Sequence, residues 1–378
     1  MRIAASLALC VLVASAPAAP ATGAGRGALQ GLPARLSDAE FWRLSTELSE
    51  PGGYFRSENL VSNEHTFQYV IPSLGRVVAP GGVYLGVAPD QNFTYILATR
   101  PRMAFILDIR RGNLLQHLLY KALIELSADR AEFLSRLLSK PRPDGLTAAS
   151  SVTDLFGAYA RVATSEELYR ATLRAVEAHL VKKRGFPLST TDLDQIETIF
   201  FAFFWEGPSL RYSTAPMGIG ARATLSFPTY EELMVQTDWD GTPRGYLAAE
   251  EAYRTLRTFQ ERNLLVPVVG NFAGAKALRQ IGRYVRERGA VVSAFYVSNV
   301  EQYLYQDGLF APWAENIATL PIDRQSTFIR SVSIRFGYDG TMLGPDGRAS
   351  ALQPIGGFLD DFRAGRLRSY YDLNQRSR

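Results

Sequence analysis

Val83-Tyr84-Leu85-Gly86-Val87-Ala88-Pro89-Asp90-Gln91-Asn92 and Met103-Ala104-Phe105-Ile106-Leu107-Asp108 decide the fold class. The first is a short apolar strand broken by Ala88-Pro89, with a helix expected from about Asp90 to Thr99. The second is a continuous apolar run closing on a carboxylate, the pattern of a parallel strand buried on both faces. The following helix, from about Asn113, places Leu115, Leu118, Leu119, Ala122, Leu123 and Leu126 along one face. Strand, helix, strand, helix begins a parallel sheet.

Working outward, strands are expected at 264–269, 290–297 and 326–334, with helices at 247–262, 274–288 and 313–319. Five strands alternating with helices predict an α/β fold, an open, mostly parallel Rossmann-like sheet covered on both faces. Its halves fall at 37–127 and 246–340. Between them, 128–245 reads as a helical insertion, broken at Pro141-Arg142-Pro143 and ending in a long loop from Pro208 to Gly245. Within it, the aromatic run from Phe200 to Trp205 reads as core. Residues 341–378 read as a C-terminal tail. Ser37-Asp38-Ala39-Glu40 and Ser189-Thr190-Thr191-Asp192 are capping boxes that start helices.

The chain of 378 residues is 47% hydrophobic and 21% charged, which excludes disordered, fibrous and multi-span membrane classes. Only five of its 41 basic residues are Lys, and a net charge of +4 gives no basic tract for nucleic acid. Met1-Arg2, an apolar run from Ile3 to Ala16 and an exit at Ala14-Ser15-Ala16 or Ala16-Pro17-Ala18 form a secretory signal layout. Residues 1–24 are therefore expected to hold a signal peptide and the start of a tether, with 25–36 flexible. The run is too short for a stable membrane span, which needs about 20 residues. A periplasmic or secreted mature chain with no transmembrane span follows. Cys10 is the sole cysteine, so cleavage removes thiolate chemistry and Cys-ligated metals together.

Ligands of such sheets bind beyond the carboxyl ends of the strands. Gly86 in a tight turn, Asp90 and Asn92 at a helix start, and Asp108 at the next strand end are the parts of a nucleoside cradle. Asn271, in Gly270-Asn271-Phe272-Ala273-Gly274-Ala275-Lys276, belongs to an anion seat or to an ordinary turn. Ser298 and Asn299 end a later strand, facing a substrate or capping a helix. Arg110 and Arg111 suit a phosphate or carboxylate. His117 and His179 read as helix-surface residues, and His65 as a general-base candidate near the ligand mouth. No histidine pair has metal-ligand spacing, and no nucleophile elbow is present.

Residues 81–93, 102–113 and Phe295-Tyr296-Val297-Ser298-Asn299-Val300-Glu301-Gln302-Tyr303-Leu304 resemble an uncharacterised bacterial family of the Leptospira hypothetical-protein type. Its fold is similar to that of S-adenosylmethionine-dependent methyltransferases, and the resemblance runs from about Phe41 to Arg335. It implies S-adenosylmethionine as a cofactor candidate, with Gly86 at the cofactor turn and Asp108 on its ribose. The departure is Ala88-Pro89, where the methyltransferase turn has glycines that let the methionine part approach. The preferred expectation is an exported protein whose strand-end cleft binds a small nucleoside-like or anionic ligand. The alternatives are a methyltransferase, which would meet no cofactor outside the cytoplasm, and a non-enzymatic interaction protein. The oligomeric state is left open.

Overall fold

The computed structural model describes residues 31–213 and 227–377. The expected signal peptide and most of the expected tether lie outside them. Six strands, Val83–Gly86 (β1), Met103–Asp108 (β2), Leu265–Val269 (β3), Val292–Ser298 (β4), Thr327–Ser333 (β5) and Arg348–Pro354 (β6), pair in the order β3-β2-β1-β4-β5-β6. The first five run parallel, with Leu85 opposite Phe105 on one side and Phe295 on the other, while β6 is antiparallel to β5. β1, β2 and β3 are buried throughout, as strands covered by helices on both faces must be. This is an open α/β sheet of Rossmann-like order. The sixth strand falls in the expected tail. Arg348-Ala349-Ser350-Ala351-Leu352-Gln353-Pro354 is too small and polar to signal a strand; pairing with β5 supplies what the sequence does not.

The helices are α1 (Asp38–Leu48), α2 (Ile71–Val77), α3 (Gln91–Thr99), α4 (Arg111–Leu126), α5 (Arg130–Leu138), α6 (Val152–Ala160), α7 (Glu166–Glu177), α8 (Thr190–Glu206), α9 (Tyr230–Val235), α10 (Glu250–Glu261), α11 (Ala277–Glu287), α12 (Val300–Gln306), α13 (Phe310–Ala318), α14 (Ile355–Arg363) and α15 (Tyr370–Gln375). Both expected capping boxes form, at Ser37/Glu40 and Ser189/Asp192. Phe200 and Phe203 of the aromatic run are buried, whereas Phe201 and Trp205 are exposed. Among the described residues no helix is long and apolar enough to cross a membrane.

The amphipathic reading of α4 is corrected: every residue from Asn113 to Glu125 is buried, because α5, α7, α8 and α10 pack on it as well as the sheet. His117 and His179 are accordingly interior. Glu125 accepts from Lys121 Nζ at 2.8 Å, from Arg184 Nη2 at 2.6 Å and is joined to His179 Nε2 at 2.6 Å. His179 reaches it from a π-helical turn, Ala178–Lys183, that continues α7. The carboxylate satisfies groups that burial would otherwise leave unpaired.

α1 closes the β3 edge of the sheet. Ser45 Oγ donates to the Pro267 carbonyl at 2.5 Å, Ser49 Oγ accepts from Val269 N at 2.9 Å, and Glu50 N donates to the Val269 carbonyl at 2.8 Å. Pro267 itself has no N–H to offer, and an edge is where a strand tolerates proline.

Candidate functional site

Strand order reverses between β1 and β4, and a crevice of about 970 Å³, counted to its open mouth, lies beyond their carboxyl ends and that of β2. Aromatic rings from distant segments wall it: Phe55, Tyr212, Phe272, Tyr296 and Tyr303. Phe55 meets Tyr303 edge to face at 5.2 Å, and Phe272 stacks on Trp313 at 5.0 Å, which fixes both walls.

The β1–α3 turn is held from inside. Asn92 is fully buried, and its amide donates to the carbonyls of Val87 (2.8 Å), Ala88 (3.2 Å) and Pro89 (2.7 Å), while its oxygen accepts from Tyr84 Oη at 2.8 Å. A side chain at Gly86 would collide with Asn92 and Tyr84. Gly86 is therefore required by this clamp rather than by the approach of a ligand. Ala88 takes φ +66°, the left-handed conformation that glycine ordinarily supplies, and His117 Nε2 lies 2.9 Å from its carbonyl. Burial pushes His117 down to about 4, so it is neutral at pH 7 and donates from Nε2.

Asp90 does not face the crevice. It is buried, accepts from Tyr246 Oη at 2.9 Å, and Tyr246 is joined to Tyr230 at 2.8 Å. Burial pushes its carboxyl up to about 7, against the lowering effect of hydrogen bonds from Tyr246 and its own backbone amide. A raised carboxyl value means that the fold prefers the proton, so Asp90 weakens stability as pH rises from its ordinary 3.8 through 7. Asp90→Asn keeps an acceptor for Tyr246 without the charge. Urea unfolding across that window should show the variant gaining on the wild type as pH rises; parallel curves would mean that Asp90 stays solvated.

Asp108 reaches the crevice, though not unaccompanied. Arg110 donates to it from Nε (3.0 Å), Nη2 (2.9 Å) and its backbone N (2.9 Å), and its Nη1 goes to the carbonyls of Ser57 and Glu58. Three of the roughly four carboxylate lone-pair positions are used, leaving room for one ligand hydroxyl. Arg111 points elsewhere, forking onto Asp192 of α8 at 2.6 and 2.8 Å. Neither guanidinium is free for an anion. The β3–α11 loop does seat an anion, and it is the chain's own. Glu50 accepts from the backbone N–H groups of Lys276 (2.8 Å) and Ala277 (2.5 Å), and Lys276 Nζ holds the Ser49 carbonyl at 2.7 Å. Asn271 lines the crevice from that loop.

Ser298 and Asn299 also line the crevice, and neither makes a side-chain cap for α12. Ser298 sits at φ +51°, and its hydroxyl donates to Glu64 at 2.6 Å. Buried Glu64 further accepts from Tyr296 Oη at 2.7 Å and Gln91 Nε2 at 3.0 Å. Sequence reasoning passed over Glu64 in favour of its neighbour His65, which does not line the crevice. It also missed Asn59, a lining residue held at φ +52°, whose buried Oδ1 has no hydrogen-bond partner among the described residues. The site offers acceptors and aromatic faces, and its guanidinium groups are spent.

A family described as "Domain of unknown function (DUF7790)" matches residues 59–186 and 221–347. The chain belongs to this family. No curated protein matches it.

Proposed function

We propose that this member of a domain family of unknown function binds a nucleoside-type ligand, neutral or cationic, in the crevice between β1, β2 and β4. The observation that carries this reading is the pairing of the remaining acceptor position on Asp108, and of the buried, unpartnered amide oxygen of the lining residue Asn59, with aromatic walls. A sugar hydroxyl and a base amino group supply the missing donors, and the rings supply stacking surface. The anionic alternative weakens because Arg110 and Arg111 are committed and the β1–α3 turn is a poor phosphate cradle. Pro89 has no N–H, and the Asp90 amide bonds to its own carboxylate.

Thermal unfolding with adenosine, adenosine monophosphate and S-adenosylmethionine tests this. At a hundredfold excess over Kd a native-state ligand adds about 2.7 kcal/mol, a shift of a few degrees. Adenosine should give that shift and Asp108→Asn should abolish it, with little response to the monophosphate. A monophosphate shift equal to the adenosine shift would restore the anionic reading; silence from both would remove the nucleoside.

The second reading, a methyltransferase-like enzyme, is favoured by the fit of a cationic sulfonium nucleoside to a crevice in which no described cation is free. Against it, the turn at Ala88-Pro89 offers few N–H groups for the methionine carboxylate. A weaker shift with S-adenosylmethionine than with adenosine is expected, and a saturable micromolar shift lost in Asp108→Asn would reverse that order. The signal layout over Met1–Ala16 supports export, and a reporter fused after Ala24 should reach the periplasm with residues to about Ala16–Ala19 removed. An uncleaved cytoplasmic fusion would contradict export and restore access to S-adenosylmethionine.

A further inference from the structure

Across Asn299 and Tyr303 the crevice adjoins a second, larger groove between α12 and the carboxyl end of β5, floored by Ser331, Val332 and Ser333. Three guanidinium groups border it, each over an aromatic ring: Arg56 over Tyr303 at 5.5 Å, Arg335 over Phe336 at 5.7 Å and Arg348 over Phe227 at 5.9 Å. One carboxylate answers them, Asp346, at 3.7 Å from Arg348. Among the described residues Arg56 and Arg335 have no carboxylate partner. This departs from the arginines around the crevice and in the core, where Arg110, Arg111, Arg184 and Arg330 are each paired with a carboxylate.

We propose that this groove is a second binding site, for a small organic acid whose carboxylate or phosphate is carried on a planar ring. Stacking on an aromatic face holds a guanidinium in plane and leaves its edge free to fork onto an anion. Arg335 takes the charge in this way, with Arg348, held only at 3.7 Å by Asp346, as the second cation, and the rings beneath the three cations take the planar body. Positive charge does not continue unanswered along α14 and beyond it, where Arg363, Arg366 and Arg376 lie against Asp360 and Asp361. A long polyanion would need that charge to continue. A small acid does not. Because the two cavities share Asn299 and Tyr303, the acid would sit beside whatever occupies the crevice, while its binding depends on none of the crevice acceptors.

Calorimetric titration of the full chain with phenyl phosphate and with benzoate tests the site and tells the two anions apart. Saturable, salt-sensitive binding is expected for at least one, about tenfold weaker in Arg335→Gln and in Arg348→Gln, with part of the loss restored in Arg335→Lys. Melting curves of the Arg335 variants should stay near the wild type, since this side chain is exposed and has no carboxylate partner among the described residues. Saturating adenosine should not compete. The site is refuted by the absence of saturable binding, by equal affinity in Arg335→Gln, or by phenol binding as well as phenyl phosphate. Competition by adenosine would also refute it, by placing the anion in the crevice. A failure of adenosine to bind would bear on the nucleoside reading and leave this one standing.

Discussion

Glu301→Ala should cost the fold about 3–5 kcal/mol, the usual penalty for stripping one partner from a buried ion pair. Arg330 of β5 is almost wholly enclosed, and its Nε and Nη2 fork onto the fully buried Glu301 carboxylate of α12 at 2.7 and 2.9 Å. Gln353 of β6 takes the Nη1 group, and the Phe328 ring lies 4.4 Å from the guanidinium carbon. Removing Glu301 strands a charge that no water reaches. Replacing both partners, as Glu301→Leu with Arg330→Met, should be close to neutral, because desolvation of the pair offsets much of its attraction. Denaturant unfolding of the single and double variants separates these outcomes. A loss under 1 kcal/mol in Glu301→Ala would show that Arg330 escapes to solvent. The effect should extend to binding, since α12 carries Tyr303 on the crevice wall.

Glu125→Gln should be comparably damaging, at about 3–5 kcal/mol, and should also change the acid limb of stability. Burial alone would push the Glu125 carboxyl up. The hydrogen bond from His179 and the charges of Lys121 and Arg184 outweigh it and hold the group at about 2, below its ordinary 4.5. Its contribution is therefore complete above pH 4.5 and lost as pH falls from there through 2. The partners do not move symmetrically: burial pushes Lys121 down to about 8 in spite of Glu125. Glu125 draws on three basic groups and Lys121 mainly on one carboxylate, so the acid limb follows Glu125. Unfolding free energies of wild type and variant should converge as pH approaches 2; a constant gap would remove Glu125 from the acid transition.

The strands of the parallel sheet were legible because burial on both faces leaves uninterrupted apolar runs, as in Met103–Asp108. Their ends were legible as the positions that border the crevice, because an open sheet of this order reverses strand order at one place. The failures share a cause. Gly86 invited a ligand explanation, while its real constraint is Asn92, six residues on and folded back beneath it. Asp90 and Asn92 are polar residues at a helix start, and nothing local says that Tyr246 and Tyr230 will enclose the first or that the second will fold back under its own turn. Glu64 is identified by Tyr296 and Ser298, more than 230 positions away. Arg111 looked available because Asp192 lies 81 residues further along. Periodicity reports which face is apolar; it does not report which polar groups will meet inside.

The seal of α1 over β3 governs how the molecule meets copies of itself. An exposed parallel edge presents a ladder of N–H and C=O groups to which another chain can add a strand. Here the outer groups of Pro267 and Val269 are answered by Ser45, Ser49 and the Glu50 amide, so an incoming strand finds no register to continue. Loss of α1 would thus do more than remove packing. It would uncover the Pro267 carbonyl and both outer groups of Val269 on a strand rich in Leu and Val, leaving the missing N–H of Pro267 as the sole remaining obstacle on that stretch to strand addition by another copy.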